Sequence, residues 1–357
     1  MTDRRIHVVV LCGGRSAEHD VSLVSTRSIL NHLDPGRHRI SVMGLNRQGG
    51  SYDPQVLRRK LELSPDGPWE FPTGSEHWLA VLAGLPPPPP VVFPVLHGPF
   101  GEDGTVQGAL EVLGLPYVGA GVLGSSLAMN KVWCKQVLAH AGLPVLPFVS
   151  TTRAGWEEDP GRVVAKIENE LAYPVFVKPA NMGSSIGVGK SRDPEELRQH
   201  LEEALKFDLL VLAEQGVDAR EIEVSVLGNE HPRASVAGEI VPSGEFYDYA
   251  AKYLDGISRL LIPAPLSQER MDEVRRLALE TYRTLGVEGM ARIDFLLEKE
   301  GHRLWVNEAN TIPGFTQISM YPKLWQASGL SYPGLIEELI NLGLKRHRAR
   351  QGLSVER

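Results

Sequence analysis

A few polar residues near the end of the chain have the types and spacing to hold a metal ion against phosphate. The segment ARIDFLLEKEGHRLWVNEANTIPGF (291–315) contains two short apolar runs, Met290–Leu297 and Arg303–Val306, around a polar turn at Glu298–His302. That pattern predicts a β-hairpin. Arg292 and Asp294 lie two apart and share one face of the first strand; Glu308 and Asn310 share one face at the end of the second. If they converge, the hairpin offers three hard oxygen ligands with a cation beside them. Mg2+ suits such a set, because it takes one or two carboxylates and fills its shell with water and phosphate oxygens. Ile293, Phe295, Val306 and Ala309 border the carboxylates. They point to partial burial, where a carboxylate is costly unless paired or metal-bound. An ordinary salt-bridged hairpin is the plain alternative.

Five other segments carry candidate chemistry. In KPANMGSSIGVGK (178–190) a strand ends in Lys178, and a loop of glycines and serines returns into a strand. Gly183 and Gly187 let the backbone approach a ligand, and Ser184, Ser185 and exposed N–H groups can bind phosphate oxygens. The lysine precedes the glycines and no helix follows directly, so this is no Walker loop; a plain glycine hairpin is the other reading. Lys131 opens a helix after SLAMN and is a surface lysine unless phosphates lie near it. VLAEQGVDAREIEVSV sets Glu214 and Glu221 on either side of a loop between two strands. A linker between two sheets is a natural adenine slot, with the acids on the N6 amine and the ribose hydroxyls; solvated loop acids are the alternative. GGRSAEHDVS (13–22) matches a dinucleotide turn weakly. The third glycine is absent, and Glu18 would repel pyrophosphate but suits an amine. LHGPFGEDGTVQG (96–108) ends a core strand in a loop with His97, Glu102 and Asp103. Ligands on open α/β sheets bind at the carboxyl ends of strands, so Glu18 and His97 can meet over one crevice. A helix-capping or loop-tying histidine is the other reading of His97.

Positioning these groups takes an alternation of strands and helices. At 357 residues the chain is expected to divide into about two or three domains. Ile6–Cys12 is a buried strand, a helix follows around Ser22–Leu33, and a strand at Arg39–Leu45. The stretch 51–78 reads as irregular and inserted. HWLAVLAGL is helix-like, and Pro86–Pro90 is a stiff surface connector rather than a ligand for an aromatic groove. A strand at 91–98 and a helix at Gly104–Leu113 complete a parallel, Rossmann-like pattern. A second unit is expected to hold a helix Ser126–Ala141, strands at Val145–Ser150, Pro174–Lys178, Ile186–Lys190 and Leu209–Glu214, and a helix Pro194–Phe207. The third has strands REIEVSVLG and RASVAGEIV, a loop at 243–262, a helix Gln268–Leu285, the hairpin and two final helices. The formal charge of −7 gives no basic footprint for nucleic acid. Lys345–Arg350 follows an apolar helical stretch and reads as a helix C-terminus offsetting its dipole, in preference to a polyanion site. Cys12 and Cys134 are too few for a disulfide framework and read as core residues. The apolar run at Ile6–Cys12 is too short for a signal peptide, and no run reaches the length of a membrane span. A cytoplasmic protein without nucleic-acid or membrane partners is expected.

Taken together, GGRSAEHDVS, HGPFGEDG, KPANMGSSIGV, EQGVDAREIEVSVLGN, YDYAAKY, ARIDF and NEANTIPGFTQISMYPKLW resemble the ATP-grasp ligases, and within them the D-alanine–D-alanine ligase family. The resemblance spans nearly the whole chain in the family's order. It implies an α/β ATP-grasp fold: an N-terminal Rossmann-like parallel-sheet domain (1–125), a small central α+β domain (126–217) and a C-terminal α+β domain (218–357). It implies ligation of two D-alanines through a D-alanyl phosphate, giving D-alanyl-D-alanine for peptidoglycan, ADP and phosphate. By resemblance, Glu18 binds the ammonium of the first D-alanine, with His97 near its carboxylate. Ser184 and Tyr253 link to Glu18. Lys131, Lys178 and Lys252 hold ATP phosphates, and Glu214 and Glu221 take adenine and ribose. Asp294, Glu308 and Asn310 bind two Mg2+, for which Mn2+ can substitute. Arg292 and the N–H of Gly314 cradle the oxyanion, and Ser319 helps hold the second carboxylate. GEFYDYAAKYLDG (244–256), glycine-bounded and aromatic, is the expected lid. Family members that make D-alanyl-D-lactate replace this lid pattern, and a histidine takes the role of its last tyrosine. Tyr247, Asp248, Tyr249, Lys252 and Tyr253 keep the dipeptide pattern, which favours D-alanine over D-lactate or D-serine as second substrate. No metal ligand or oxyanion cation is lost, against a non-catalytic module on the same fold. The family also implies a homodimer through the N-terminal domain.

Overall fold

Val8, Val9, Val10, Leu11 and Cys12 have no exposed surface at all, as expected of a strand covered on both faces. The computed structural model describes residues 4–72, 77–241 and 259–354 of the chain. This strand, β1 (Ile6–Gly13), lies inside a parallel sheet with β2 (His38–Leu45), β3 (Trp69–Glu70) and β4 (Val91–Val95), in the order β3-β2-β1-β4. Its alternate residues serve two cores: Val8, Val10 and Cys12 pack with Leu335 and Leu339, while Val9 and Leu11 pack with Trp78, Leu82 and Leu110. The two cysteines are buried core residues, and burial pushes each thiol up to about 12. Pro86 to Pro89 lie exposed on the surface.

The second sheet is antiparallel and contains β5 (Phe148–Thr152), β6 (Val175–Pro179), β7 (Gly189–Ser191) and β8 (Leu210–Gln215), ordered β5-β8-β6-β7. The third is also antiparallel. It contains β9 (Ala219–Gly228), β10 (Arg233–Val241), β11 (Arg259–Leu261), β12 (Gly289–Glu298) and β13 (Leu304–Asn310), ordered β11-β10-β9-β12-β13. The helix Gln268–Thr284 buries Val274, Leu277 and Ala278 against Ile222, Val224 and Phe295 of this sheet. Among the described residues no helix is long and apolar enough to cross a membrane.

Three sequence expectations need correction. The stretch 51–78 is not irregular throughout. Asp53 accepts hydrogen bonds from Gln55 N and Val56 N and caps a helix Pro54–Lys60, with proline in its first turn, and β3 then adds to the edge of the sheet. The expected helix Ser126–Ala141 is two helices, Val122–Met129 and Lys131–His140. Asn130 breaks them at ψ 101°, and its side chain accepts from Trp133 N at 3.1 Å. The break puts Lys131 at a helix start, with its N–H on Ala180 O at 2.9 Å. Helices Arg153–Glu158 and Pro160–Glu170, capped by Thr152 and Asp159, were not anticipated. They cover the second sheet with Trp156, Val164 and Ile167.

The basic run at 345–350 does end the last helix, with Arg348 and Arg350 in its final turn, but one member of the run is buried. Arg346 is 5% exposed, donates to Tyr117 O at 3.0 Å and to Gly119 O, and lies 4.2 Å from the centre of the Tyr117 ring. It staples the last helix, Tyr332–Gln351, to the chain that leaves the parallel sheet. Gly343 permits that approach, since a Cβ there would lie 2.5 Å from Tyr117 O. Alanine ordinarily stabilises a helix interior relative to glycine, so the sign at 343 is diagnostic. Gly343→Ala is expected to lower the unfolding free energy by about 1–3 kcal/mol through overpacking. A denaturant titration in which the variant is as stable as the parent would contradict this packing.

Candidate active site

The hairpin register sets Arg292 opposite Asn310 and Asp294 opposite Glu308, and the ladder shifts by one residue just after Asp294. Residues paired across an antiparallel ladder share a face, so all four side chains leave the sheet together. On the other side of β12, Asp294 pairs with Glu223 of β9. The Arg292 fork donates from Nε to Asp294 Oδ1 at 2.7 Å and from Nη2 to Oδ2 at 2.7 Å, and its Nε lies 3.0 Å from Glu223 Oε2. Burial alone would weaken the guanidinium's hold on its proton, but Asp294 and Glu223 raise it well above its ordinary value. Asn310 Nδ2 donates to Asp294 Oδ2 at 2.9 Å, which leaves Asn310 Oδ1 as the acceptor. Lys131 Nζ stands 3.9 Å from Glu308 Oε2.

The donor set is therefore two carboxylates and one amide oxygen. Among the described residues no group of three or more His, Cys, Asp or Glu could hold a metal by itself. That fits Mg2+, which relies on phosphate oxygens and water, and does not fit an all-protein cage.

The loop after β6 supplies the next groups. Ser184 and Ser185 adopt left-handed backbone angles, φ 50° and 58°, which non-glycine residues seldom take outside functional turns. The turn aims Ser184 Oγ at Glu18, to which it donates at 2.5 Å. Glu18 stands just before the helix His19–Leu30, its side chain making no capping bond, and is 8% exposed. A Cβ on Gly183 would lie 2.7 Å from Glu18 Oε2, and one on Gly98 would lie 2.6 Å from it. Two glycines from two loops thus make the space that the carboxylate occupies. Lys131 Nζ donates to Met182 O at 2.6 Å in the same loop.

His97 follows β4 and is 5% exposed. Its Nδ1 lies 2.8 Å from Ile312 O and its Nε2 3.0 Å from Ser25 Oγ, while Phe315 N donates to Ser25 Oγ at 3.3 Å. A carbonyl can only accept, so Nδ1 carries the proton and Nε2 accepts from Ser25. Burial lowers the tendency of the ring to charge, while Glu18 and Ile312 O oppose that effect. The structure bears on the loop-tying reading of His97. Both nitrogens hold protein groups, and the ring ties the 312–315 loop to the parallel sheet. Glu102 stands 4.0 Å from His97 Nδ1, and burial, then the charge of Glu18, push its carboxyl well above the ordinary range.

A Cβ on Gly314 would lie 2.8 Å from Ser319 Oγ, so a side chain there would displace that hydroxyl. Ser319 precedes the helix Met320–Ala327; its Oγ accepts from Thr316 N at 3.0 Å and lies 2.8 Å from Thr316 Oγ1. Glu221 is half-buried on β9. Tyr247, Asp248, Tyr249, Lys252 and Tyr253 lie outside the described residues.

Glu214 differs most from expectation. It is a buried residue of β8 in place of a loop acid. Its carboxylate is 2% exposed, with Oε2 accepting from Lys178 at 2.5 Å and Oε1 paired with Lys135. Sequence reading passed over Lys135, Glu223, Ser25, Gly98 and the spacing role of Gly183. Lys135 did leave a signal, because it sits three residues after buried Val132 and three before buried Leu138, on the apolar stripe of its helix. Burial would raise the Glu214 carboxyl, but Lys135 and Lys178 together draw it down to about 2. An unfolded glutamate titrates near ~4.3. The folded value is the lower one, so this stabilisation is complete above about pH 5 and is lost as pH falls towards 2. The gap corresponds to about 3 kcal/mol at neutral pH. Glu214→Gln removes the titration, so the stability difference between parent and variant should narrow from about pH 6 to about pH 3. A constant difference in denaturant titrations across that range would contradict the pairing.

Comparison with known proteins places this geometry. Residues 7–120 match the family model of the D-ala D-ala ligase N-terminus, and residues 137–341 match that of the D-ala D-ala ligase C-terminus. A D-alanine--D-alanine ligase of Thermoanaerobacter sp. (strain X514) is 51% identical, covering 96% of this chain and 98% of that protein. One of Natranaerobius thermophilus is 44% identical, covering 99% of each. The solved D-alanine-D-alanine ligase of Coxiella burnetii superposes with a TM-score of 0.81 at 33% identity, over 98% of this chain and 97% of that one. The VanG D-Ala:D-Ser ligase of Enterococcus faecalis does so with 0.81 at 32% identity, over 95% and 99%. With both of its parts matched and its length covered by such relatives, this chain belongs to the D-alanine–D-alanine ligase family.

Proposed function

We propose that this chain joins two D-alanines into D-alanyl-D-alanine, with ATP converted to ADP and phosphate, as a step in making peptidoglycan precursor in the cytoplasm. The hairpin register is the observation that supports this most directly, because it sets Arg292, Asp294, Glu308 and Asn310 on one face. A carboxylate oxygen of the first D-alanine attacks the γ-phosphorus, and the bond to the β-bridging oxygen breaks. The amine of the second D-alanine then attacks the acyl phosphate carbon, loses a proton, and phosphate leaves. An anion attacking a polyanion meets repulsion, so the chain must supply positive charge at fixed positions. Lys131, Lys178 and Lys252 do so at the phosphates. Two Mg2+, or Mn2+ in their place, held by Asp294, Glu308 and Asn310, would neutralise the phosphate oxygens when bound.

Glu18 takes the ammonium of the first D-alanine, with Ser184 and Tyr253 orienting its carboxylate. His97 acts one step back, fixing the 312–315 loop. Arg292 has its Nε and Nη2 committed to carboxylates, so its Nη1 edge faces the oxyanion together with the Gly314 N–H. Ser319 holds the second carboxylate, and Glu221 takes the ribose. The chain divides near 125 and near 217 and pairs as a homodimer.

The relation to a D-Ala:D-Ser ligase makes the second substrate the point to test. Incubation with D-alanine, D-serine and D-lactate in competition at neutral pH should give mainly D-alanyl-D-alanine. Mainly mixed dipeptide or depsipeptide would overturn the choice. Glu308→Gln and Arg292→Ala should each cut D-alanine-dependent ADP release by at least about a hundredfold. Turnover near that of the parent in both would refute the site.

A further inference from the structure

Lys135 has no part in the chemistry above, yet its burial demands a reason. Its side chain is 2% exposed, on the helix whose first residue is Lys131. A buried ammonium is tolerated only when compensated. Glu214, equally buried, compensates it through Oε1 and holds Lys178 through Oε2. Of the three side chains only Lys178 reaches the cleft, at 16% exposure. The row ammonium–carboxylate–ammonium carries one net positive charge, and Lys178 is its exposed end. Without Lys135, Glu214 and Lys178 form an isolated pair of zero net charge. A phosphate would then meet a cation already cancelled by its own neighbour.

We propose that Lys135 is a positioning residue for the nucleotide phosphates: it shares Glu214, so that Lys178 faces the phosphates with an uncancelled charge and a fixed direction. The inference rests on the ligase reading in one respect, that Lys178 meets phosphate. Placing Lys135 and Lys131 on one helix locks both lysines to the same rigid element. Glu214 is then a carboxylate between two cations, whose removal without Lys135 in place should matter less than its retention.

The test is MgADP affinity, read by calorimetry on the full chain, with KM values for ATP and D-alanine measured alongside. Lys178→Ala tests the underlying reading, and unchanged ADP binding there would mean that Lys178 does not meet phosphate. Given weakened binding in that variant, Lys135→Met should weaken MgADP by about tenfold, the scale of one unit charge several ångströms away in a partly screened site. KM for ATP should rise while KM for D-alanine holds. The double variant Lys135→Met/Glu214→Gln removes the lone carboxylate, keeps its shape and an acceptor oxygen, and leaves Lys178 uncancelled. It should bind MgADP within about threefold of the parent. A purely structural role for Lys135 predicts the reverse, a double variant at least as weak as the single one. Unchanged ADP affinity in Lys135→Met, or a double variant no better than the single, overturns the proposal and leaves the ligase reading standing. If Lys135→Met does not fold, the double variant alone decides: recovery to within about threefold supports the proposal, and any larger loss overturns it.

Discussion

Arg292 lies between two carboxylates from neighbouring strands, Asp294 beside it on β12 and Glu223 across the ladder on β9. The rest of the cleft depends on that arrangement. Two carboxylates so close would repel each other and shed their charge by taking up protons. A planar cation between them, its Nε facing both and its Nη2 on Asp294, offsets that repulsion and fixes their directions. Asp294 in turn fixes the Asn310 amide, and with it the third oxygen of the donor set. None of this survives a slip in strand pairing, since a shift of one residue would send every side chain to the opposite face. The buried apolar residues that alternate with them, Ile293, Phe295 and Val306, are what make such a slip costly. The hydrophobic pattern of the hairpin thereby sets its electrostatics.

Two further ties bring distant parts of the chain to this face. Ser184 on Glu18 joins the Gly/Ser loop of the second sheet to the first helix of the parallel sheet. His97 joins that sheet to the loop bearing Gly314 through Ser25 and the Ile312 carbonyl. The histidine does this as a neutral ring with one donor and one acceptor, a state that its burial favours. Charged groups gather on this face, and hydrogen bonds from Ser184 and His97 hold the elements that carry them in place.

Much of this could be read from residue order. The hairpin, the strand-ending positions of Glu18 and His97, the Gly/Ser loop and the helix Pro194–Phe207 follow from local signals of period, turn and cap. A helix start at Lys131 was legible after SLAMN, but the apolar pattern runs on through Asn130 and made 126–141 read as one helix. The helix at Pro160–Glu170 was announced by Asp159-Pro160, a cap and first-turn proline that were passed over. Long-range partners had no local mark. Nothing near Gly98 or Gly183 tells that both make room for one carboxylate from residue 18. Nor does the sequence around Glu214 show that lysines 135 and 178 will claim it. The run 345–350 reads as a helix end and is one, while the burial of Arg346 comes from carbonyls about 230 residues earlier. Charges are the hardest residues to place from sequence, because a buried one is defined by its partner, and the partner comes from another element.

The central claim is that the cleft directs a substrate carboxylate, and no water, onto the γ-phosphate. Turnover with D-alanine labelled with oxygen-18 in both carboxylate oxygens tests it directly, with the released phosphate analysed by mass. Attack by the carboxylate places one label in each phosphate and leaves the other in the new peptide carbonyl. Phosphate released without label would mean that water attacks the nucleotide, and it would contradict the account.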